Sequence, residues 1–424
     1  MIENLFENAS KRGLPLEVSK TRIKTSAIKM FESNLENYEV SDINTYNVKA
    51  KINNKLVSAN FDNLSNSEFI LDTLEKNAAM IDDRSDESFS TVEERIDGIS
   101  EPTEIDLNKV IEDFKALYAL KETYKCIDTI ALTFFKEYVV RELSNSNGVR
   151  LKDSNCINEF GLEMSINNNG TIQSGYFSFL SKEYNILTFK KKIIETIEDT
   201  ITKAESKSCR SNKYNVLLKN ECVFDILDTL SGMFEAEIIK KGISPLNDSF
   251  KKSVFSKKIT IVEDPNNDNY IGKRLFDNEG TLTYYKKIVE DGVFSCKLYN
   301  NKFASKDNTK STGNSYGVRN MYIVPGEKTF DDLMKQMEFG ILIDNVEGLH
   351  AGINKTTGNI SLQAEGYLIE NGKKSKPLNM IVLSTNIFEL LNNVIEIGND
   401  LEFFSITGGA PSLLLENIAV AGKE

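Results

Sequence analysis

The side chain most often recruited for metal binding and proton transfer, histidine, occurs once in this chain, as His350. A metal site built on two imidazoles is therefore beyond the reach of the chain alone. His350 lies in Glu347-Gly348-Leu349-His350-Ala351-Gly352-Ile353-Asn354, where an imidazole among glycines can act as a base or donate to a bound peptide. The plainer reading is a partly buried ring bonded to a nearby carbonyl in a tight loop. Spacing assigns it no serine or cysteine nucleophile. Asp277-Asn278-Glu279-Gly280 places two carboxylates close enough to hold a hard cation, or else forms a turn in which Asp and Asn bond their own backbone. It lacks the further spaced carboxylates of a calcium loop. Ser311-Thr312-Gly313-Asn314-Ser315-Tyr316-Gly317 has the small residues of a phosphate cradle without the Lys-Ser/Thr ending of a P-loop, which favours an ordinary loop. Gly398-Asn399-Asp400 and Gly408-Gly409-Ala410-Pro411-Ser412 contain what any tight connection requires.

Positioning such groups needs more than one core, because 424 residues exceed what a single core organises; two or three domains are expected. Apolar residues make up 40% and charged residues 27%, a globular composition, and no apolar run approaches the ~20 residues that span a bilayer. The net charge of −12, with lysines scattered among carboxylates, argues against a nucleic-acid surface. The start, Met1-Ile2-Glu3-Asn4-Leu5-Phe6-Glu7-Asn8, is acidic where a signal peptide is basic, so a cytoplasmic location is expected. The five cysteines are dispersed without a C-x-x-C pair and read as reduced thiols.

The pattern predicts an α+β fold in three units. Residues 1–98 read as a small α+β domain, with short strands at 16–19, 27–32, 37–40, 46–52 and 55–59 and a helix opened by Ser65 with Glu68 three residues on. An acidic, solvated connection spans 82–104. Residues 99–212 read as a β-meander with flanking helices at about 107–125 and 186–207. Residues 213–424 read as a large, mainly antiparallel β-rich domain with a helix over 223–241 and hairpins across Glu290-Asp291-Gly292 and Glu370-Asn371-Gly372.

The carboxy-terminal motifs carry a family likeness. Phe276-Asp277-Asn278-Glu279-Gly280-Thr281, Ile288-Val289-Glu290-Asp291-Gly292 and Ser311-Thr312-Gly313-Asn314 come first. Asn320-Met321-Tyr322-Ile323-Val324-Pro325-Gly326, Gly352-Ile353-Asn354 and Ala364-Glu365-Gly366-Tyr367-Leu368-Ile369-Glu370-Asn371-Gly372 follow. Ile397-Gly398-Asn399-Asp400-Leu401, Ala410-Pro411-Ser412-Leu413-Leu414 and Val420-Ala421-Gly422 complete the series. In this order, over residues 276–422, they resemble the TldD/PmbA family, and within it the PmbA branch, also called TldE. The middle unit fits more loosely through Asn147-Gly148-Val149 and Gln173-Ser174-Gly175-Tyr176. The amino-terminal unit departs from the family around Thr45-Tyr46-Asn47-Val48, where early hairpin glycines are replaced.

The resemblance implies a cytoplasmic partner protein. In the family, the TldD subunit is a zinc peptidase with a His-Glu-x-x-x-His helix and a distant cysteine ligand. It assembles with the PmbA/TldE subunit to degrade unfolded peptides and trim leader peptides, and the pair has carried the label of a modulator of DNA gyrase. Against that motif fall Asp228 for the first histidine, Thr229 for the glutamate and Met233 for the second histidine, and the loop near Thr407-Gly408-Gly409 lacks the cysteine. A carboxylate and a thioether make a poor zinc pair.

The implied reading is a non-catalytic PmbA/TldE-like subunit with no metal or cofactor of its own, zinc being expected in the TldD-like partner. Most of the interface would come from the carboxy-terminal domain. His350, Asn354, Asn314, Asp277 and Glu279 are the candidate peptide-binding or cavity-lining residues. The alternatives are a metallopeptidase with an atypical site from Asp228, His350 or the Asp277/Glu279 pair, and a stand-alone peptide-binding homo-oligomer, such as a homodimer.

Overall fold

The computed structural model describes residues 1–82, 88–91, 95–168 and 170–423. It is an α+β structure of three sheets. The amino-terminal half supplies β1 (Leu16–Phe31), β2 (Asn34–Ile52), β3 (Lys55–Phe61), β4 (Ile96–Gly98), β5 (Ile127–Asn145), β6 (Arg150–Asn168) and β7 (Thr171–Ser181). They form one sheet in the order β3-β2-β1-β5-β6-β4, with β7 also on β6.

The short early strands expected from sequence are continuous: 16–19 and 27–32 fall in β1, while 37–40 and 46–52 fall in β2. The intervening polar stretch does not interrupt pairing, because its charges meet across strands. Arg22 pairs with Asp42 at 2.6 Å and Lys20 with Glu142 at 3.0 Å. β1 also pairs with β5, so strands of the first two expected units share one sheet. Each unit nonetheless has its own apolar core. Leu5, Leu16, Val48, Ile70 and Leu74 lie under helices Ile2–Lys11 and Ser67–Met80, and Phe114, Phe134, Phe160 and Phe189 lie under Leu107–Leu117 and Ile186–Lys203. The second helix is capped by Asn66, whose Oδ1 accepts from the Phe69 N–H at 3.0 Å, rather than by Ser65, whose hydroxyl donates to Asn63. Part of the expected 82–104 connection lies outside the described residues, and another part forms β4, parallel to β6.

The carboxy-terminal half supplies β8 (Asn212–Leu218), β9 (Ile261–Glu263), β10 (Lys286–Glu290), β11 (Val293–Phe294), β12 (Met321–Ile323) and β13 (Phe339–Glu347). It continues with β14 (Asn359–Glu370), β15 (Lys373–Asn386), β16 (Val394–Ile397), β17 (Glu402–Ser405), β18 (Gly408–Ala410) and β19 (Leu413–Ala421). One sheet runs β11-β10-β9-β12-β18-β17. The other runs β15-β14-β13-β8-β19-β16 and closes on itself through β15–β19. Closure removes the free edges of β15, β14, β13, β8 and β19, leaving β16 outside the ring, and wraps them round an apolar interior that includes Val216, Leu218, Ile341, Ile343, Leu362 and Leu383.

The helix expected over 223–241 is broken into Asn220–Thr229, the 3-10 turn Ser231–Phe234 and Ala236–Lys240. Ser231-Gly232 holds helix poorly, and the tighter turn lets Met233 and Phe234 enter the core, 2% and 0% exposed. Lys203 ties the halves together, donating to Asp344 on β13 at 2.8 Å and pairing with Asp199 at 2.9 Å. Burial opposes its charge, but the two carboxylates outweigh that and hold its pKa above the usual lysine range.

Candidate functional site

The helix Asn220–Thr229, with which the resemblance aligns the family's zinc motif, is fixed at its start by groups from two other loops. The Asn220 N–H donates to Ser412 Oγ at 3.0 Å and its Nδ2 to the Asp400 carbonyl at 3.0 Å. Asp400 accepts from the Ser412 hydroxyl at 2.6 Å and the Ser412 N–H at 2.9 Å. The Gly398-Asn399-Asp400 and Ala410-Pro411-Ser412 motifs therefore serve as the clamp of this helix.

The positions that the resemblance aligns with the motif lie at and just beyond the far end of the helix. Asp228 is half-buried. The Thr229 hydroxyl donates to the Asp225 carbonyl at 2.7 Å, so it is bonded within the helix. Met233 lies beyond the helix end, on the 3-10 turn, with its thioether in the core. These residues do not fit zinc: they offer one carboxylate, an occupied hydroxyl and a buried thioether. Among the described residues no group of three or more His, Cys, Asp or Glu is arranged to hold a metal ion.

Glu221, Asp225 and Asp228 recur at spacings of four and three, one face of a helix. Sequence reading passed over this row, although its period was the available signal. Burial, with the charges of Glu221 and Asp228, pushes the Asp225 carboxyl up to about 6.

His350 is carried by the short helix Leu349–Gly352, which packs against Asn220–Thr229. It is exposed and has no hydrogen-bond partner among the described residues, in contrast to the partly buried, carbonyl-bonded ring expected as the plainer reading. The helix is terminated by close packing, since a Cβ on Gly352 would stand 2.3 Å from the Ser361 carbonyl oxygen. Asn354, just beyond, is exposed and accepts from the Thr356 and Thr357 N–H groups at 3.0 Å each, an Asx turn.

The remaining sequence candidates gather elsewhere, in a buried polar cluster beside β9. Asp277 is fully buried, and its carboxylate accepts from the backbone of Glu279, Thr281 and Ser315 at 2.9, 2.9 and 3.1 Å. Burial raises its pKa while those N–H groups pull it back. Glu279 accepts from the Asn301 N–H at 2.8 Å, at the start of helix Asn301–Lys306. Asn314 donates to both oxygens of Glu263, at 3.0 and 2.9 Å, and accepts from the Thr312 hydroxyl at 2.7 Å. Glu263, 0% exposed, also pairs with Lys286 at 2.7 Å and accepts from the Arg319 N–H at 2.8 Å. The structure thus brings Asp277, Glu279 and Asn314 together as loop supports, and separately brings His350 to the motif helix. Glu263 and Lys286 were not legible as a pair, because they lie 23 residues apart.

Residues 211–422 match the family profile described as the PmbA/TldA metallopeptidase C-terminal domain. This chain belongs to the PmbA/TldD family. A metalloprotease PmbA homolog of Buchnera aphidicola is 28% identical over 307 residues, covering 72% of this chain and 68% of that protein. A crystal structure from Thermotoga maritima, of a protein named for modulation of DNA gyrase, superposes with a TM-score of 0.91 at 25% identity, covering 99% of each chain. The crystal structure of TldE from Thermococcus kodakarensis superposes with a TM-score of 0.83 at 18% identity, over 99% of this chain and 100% of that one, a likeness of fold. These similarities agree with the PmbA/TldE branch.

Proposed function

We propose that this chain is a non-catalytic PmbA/TldE-type subunit that pairs with a TldD-like zinc metallopeptidase, in the cytoplasm, in the degradation of unfolded peptides and the trimming of leader peptides. The zinc, the activated water and the cleavage belong to the partner. One observation carries this reading. The helix that bears zinc ligands in a TldD subunit here ends in Asp228 and a back-bonded Thr229, with Met233 turned into the core. The overall fold is nevertheless shared with the family, and in this chain the helix is clamped at its start through Asn220, Ser412 and Asp400. A maintained scaffold without ligands supports a role in assembly and enclosure rather than hydrolysis. Candidate peptide contacts are His350 and Asn354, the exposed groups beside that helix.

The test is co-expression with a TldD-like chain that retains its His-Glu-x-x-x-His motif, followed by size-exclusion chromatography at micromolar concentration. Co-elution is expected, and separate elution of the two chains overturns the proposal.

A further inference from the structure

Strands β5 and β6 pair along their whole length, and on their covered face Phe134 stands opposite Phe160 in the apolar core. Two residues along, strict alternation calls for another apolar pair. The sequence instead sets Lys136 directly opposite Asn158. Both are buried, at 9% and 1% exposure.

Neither is completed by the protein. Lys136 Nζ donates to the Thr103 carbonyl at 2.6 Å and has no carboxylate in ion-pair range among the described residues. Asn158 Nδ2 donates to the Ser181 and Lys182 carbonyls at 3.3 and 3.0 Å, while its Oδ1 is buried and accepts nothing. A buried cation without a counter-charge, facing a buried acceptor without a donor, is unfavourable unless something supplies both.

Both residues line a cavity of about 660 Å³, within the size range of small-ligand pockets. Lys182, whose Nζ donates to the Asp268 carbonyl and keeps its remaining N–H groups, adds a second ammonium to the lining, and Ile105 and Tyr184 give it an apolar wall. Cys156 also lines it; burial keeps its thiol neutral, so it sets no negative charge against an anion. Four carboxylates also line it: Asp268 is paired with Lys273 at 2.5 Å, and Glu104, Asp106 and Glu183 are exposed to solvent, which screens their charge. None of Asp228, Thr229, Met233 or His350 lines this cavity.

We propose that this cavity binds a carboxylate with an adjacent N–H donor, the carboxylate resting on Lys136 and Lys182 and the N–H donating to Asn158 Oδ1. Sulfate, which carries no proton at neutral pH, would satisfy the lysines and leave the Asn158 acceptor unmet. Water would satisfy Asn158 and leave Lys136 without a counter-charge. The free C-terminus of a short peptide and an N-acylated amino acid share the required chemistry. The site does not depend on a partner subunit, so it stands or falls separately from the pairing reading.

The test is isothermal titration of the full chain with N-acetyl-tetra-alanine as free acid, the same peptide as C-terminal amide, and N-acetylalanine. The free acid is expected to bind, and the amide and the Lys136→Met variant to bind about 10-fold more weakly or worse, because each loses a charge-assisted contact. Equal binding by N-acetylalanine identifies the amino-acid derivative as the sufficient unit, and binding by the peptide alone identifies the peptide terminus; either upholds the site. If Lys136→Met fails to fold, Lys182→Met and the acid-against-amide comparison on the wild-type chain decide. Equal affinity for acid and amide, unchanged affinity in a folded Lys136→Met, or no binding of any probe at millimolar concentration overturns the proposal.

Discussion

The loop cluster around Glu263 and the helix Asn220–Thr229 are both rich in side chains that do chemistry in other proteins, and they hold them in opposite ways. Around Glu263 the acceptors are buried and matched: Lys286, Asn314 and the Arg319 N–H converge on one carboxylate, and three backbone N–H groups on Asp277. Along the helix, Glu221, Asp225 and Asp228 form a row of carboxylates, and burial together with the charges of its two neighbours raises the pKa of the middle member. Matched burial makes a structural joint. Glu221 is exposed and reaches Lys219 at 4.0 Å, whereas Asp225 and Asp228 are half-buried without an ion pair among the described residues, which costs stability.

Breaking the matched side should have the largest effect. Glu263→Leu strands the Lys286 ammonium and is expected to cost about 3–5 kcal/mol in urea unfolding, with much of it recovered in Glu263→Leu/Lys286→Met. A loss below about 1 kcal/mol would dissolve the contrast. Asp277→Ala leaves three backbone N–H groups without their acceptor and should cost about 2–3 kcal/mol by the same measurement.

The unmatched side predicts the opposite sign. The folded Asp225 pKa of about 6 lies above its ordinary value of 3.8, so the folded chain binds the extra proton between those values. The associated stability is complete below about pH 4 and is lost as pH rises through about 6. Asp225→Asn should flatten that dependence and, after allowance for solvent screening, add about 1 kcal/mol at pH 7. A destabilised variant would show that the carboxylate has a partner role. His350→Ala, smallest of all, should change stability by less than about 0.5 kcal/mol, because the ring is exposed and bonds none of the described residues.

Much of this arrangement was legible in sequence where it depended on local chemistry. The Asn371-Gly372 hairpin between β14 and β15 followed from turn chemistry, and the carboxy-terminal motifs identified the family. Long-range pairing was not legible. Lys20, Arg22 and Asp42 read as breaks between short strands, because the charges that compensate them, Glu142 for Lys20 and Asp42 for Arg22, are distant in sequence and meet them only once the sheet forms. The candidate site was legible in part for the same reason. The family resemblance aligned Asp228, Thr229 and Met233 with the zinc motif, but the switch from α-helix to 3-10 turn after Thr229 depends on the core that Met233 enters. The Lys136–Asn158 pair was invisible until β5 and β6 were in register.

The central claim is that the chemistry lies outside this chain, and zinc content measured together with peptidase activity tests it most directly. The purified chain alone should contain zinc far below one equivalent and cleave no unfolded peptide, with Asp228→Ala indistinguishable from wild type. Stoichiometric zinc, with hydrolysis abolished both by a chelator and by Asp228→Ala, would contradict the account.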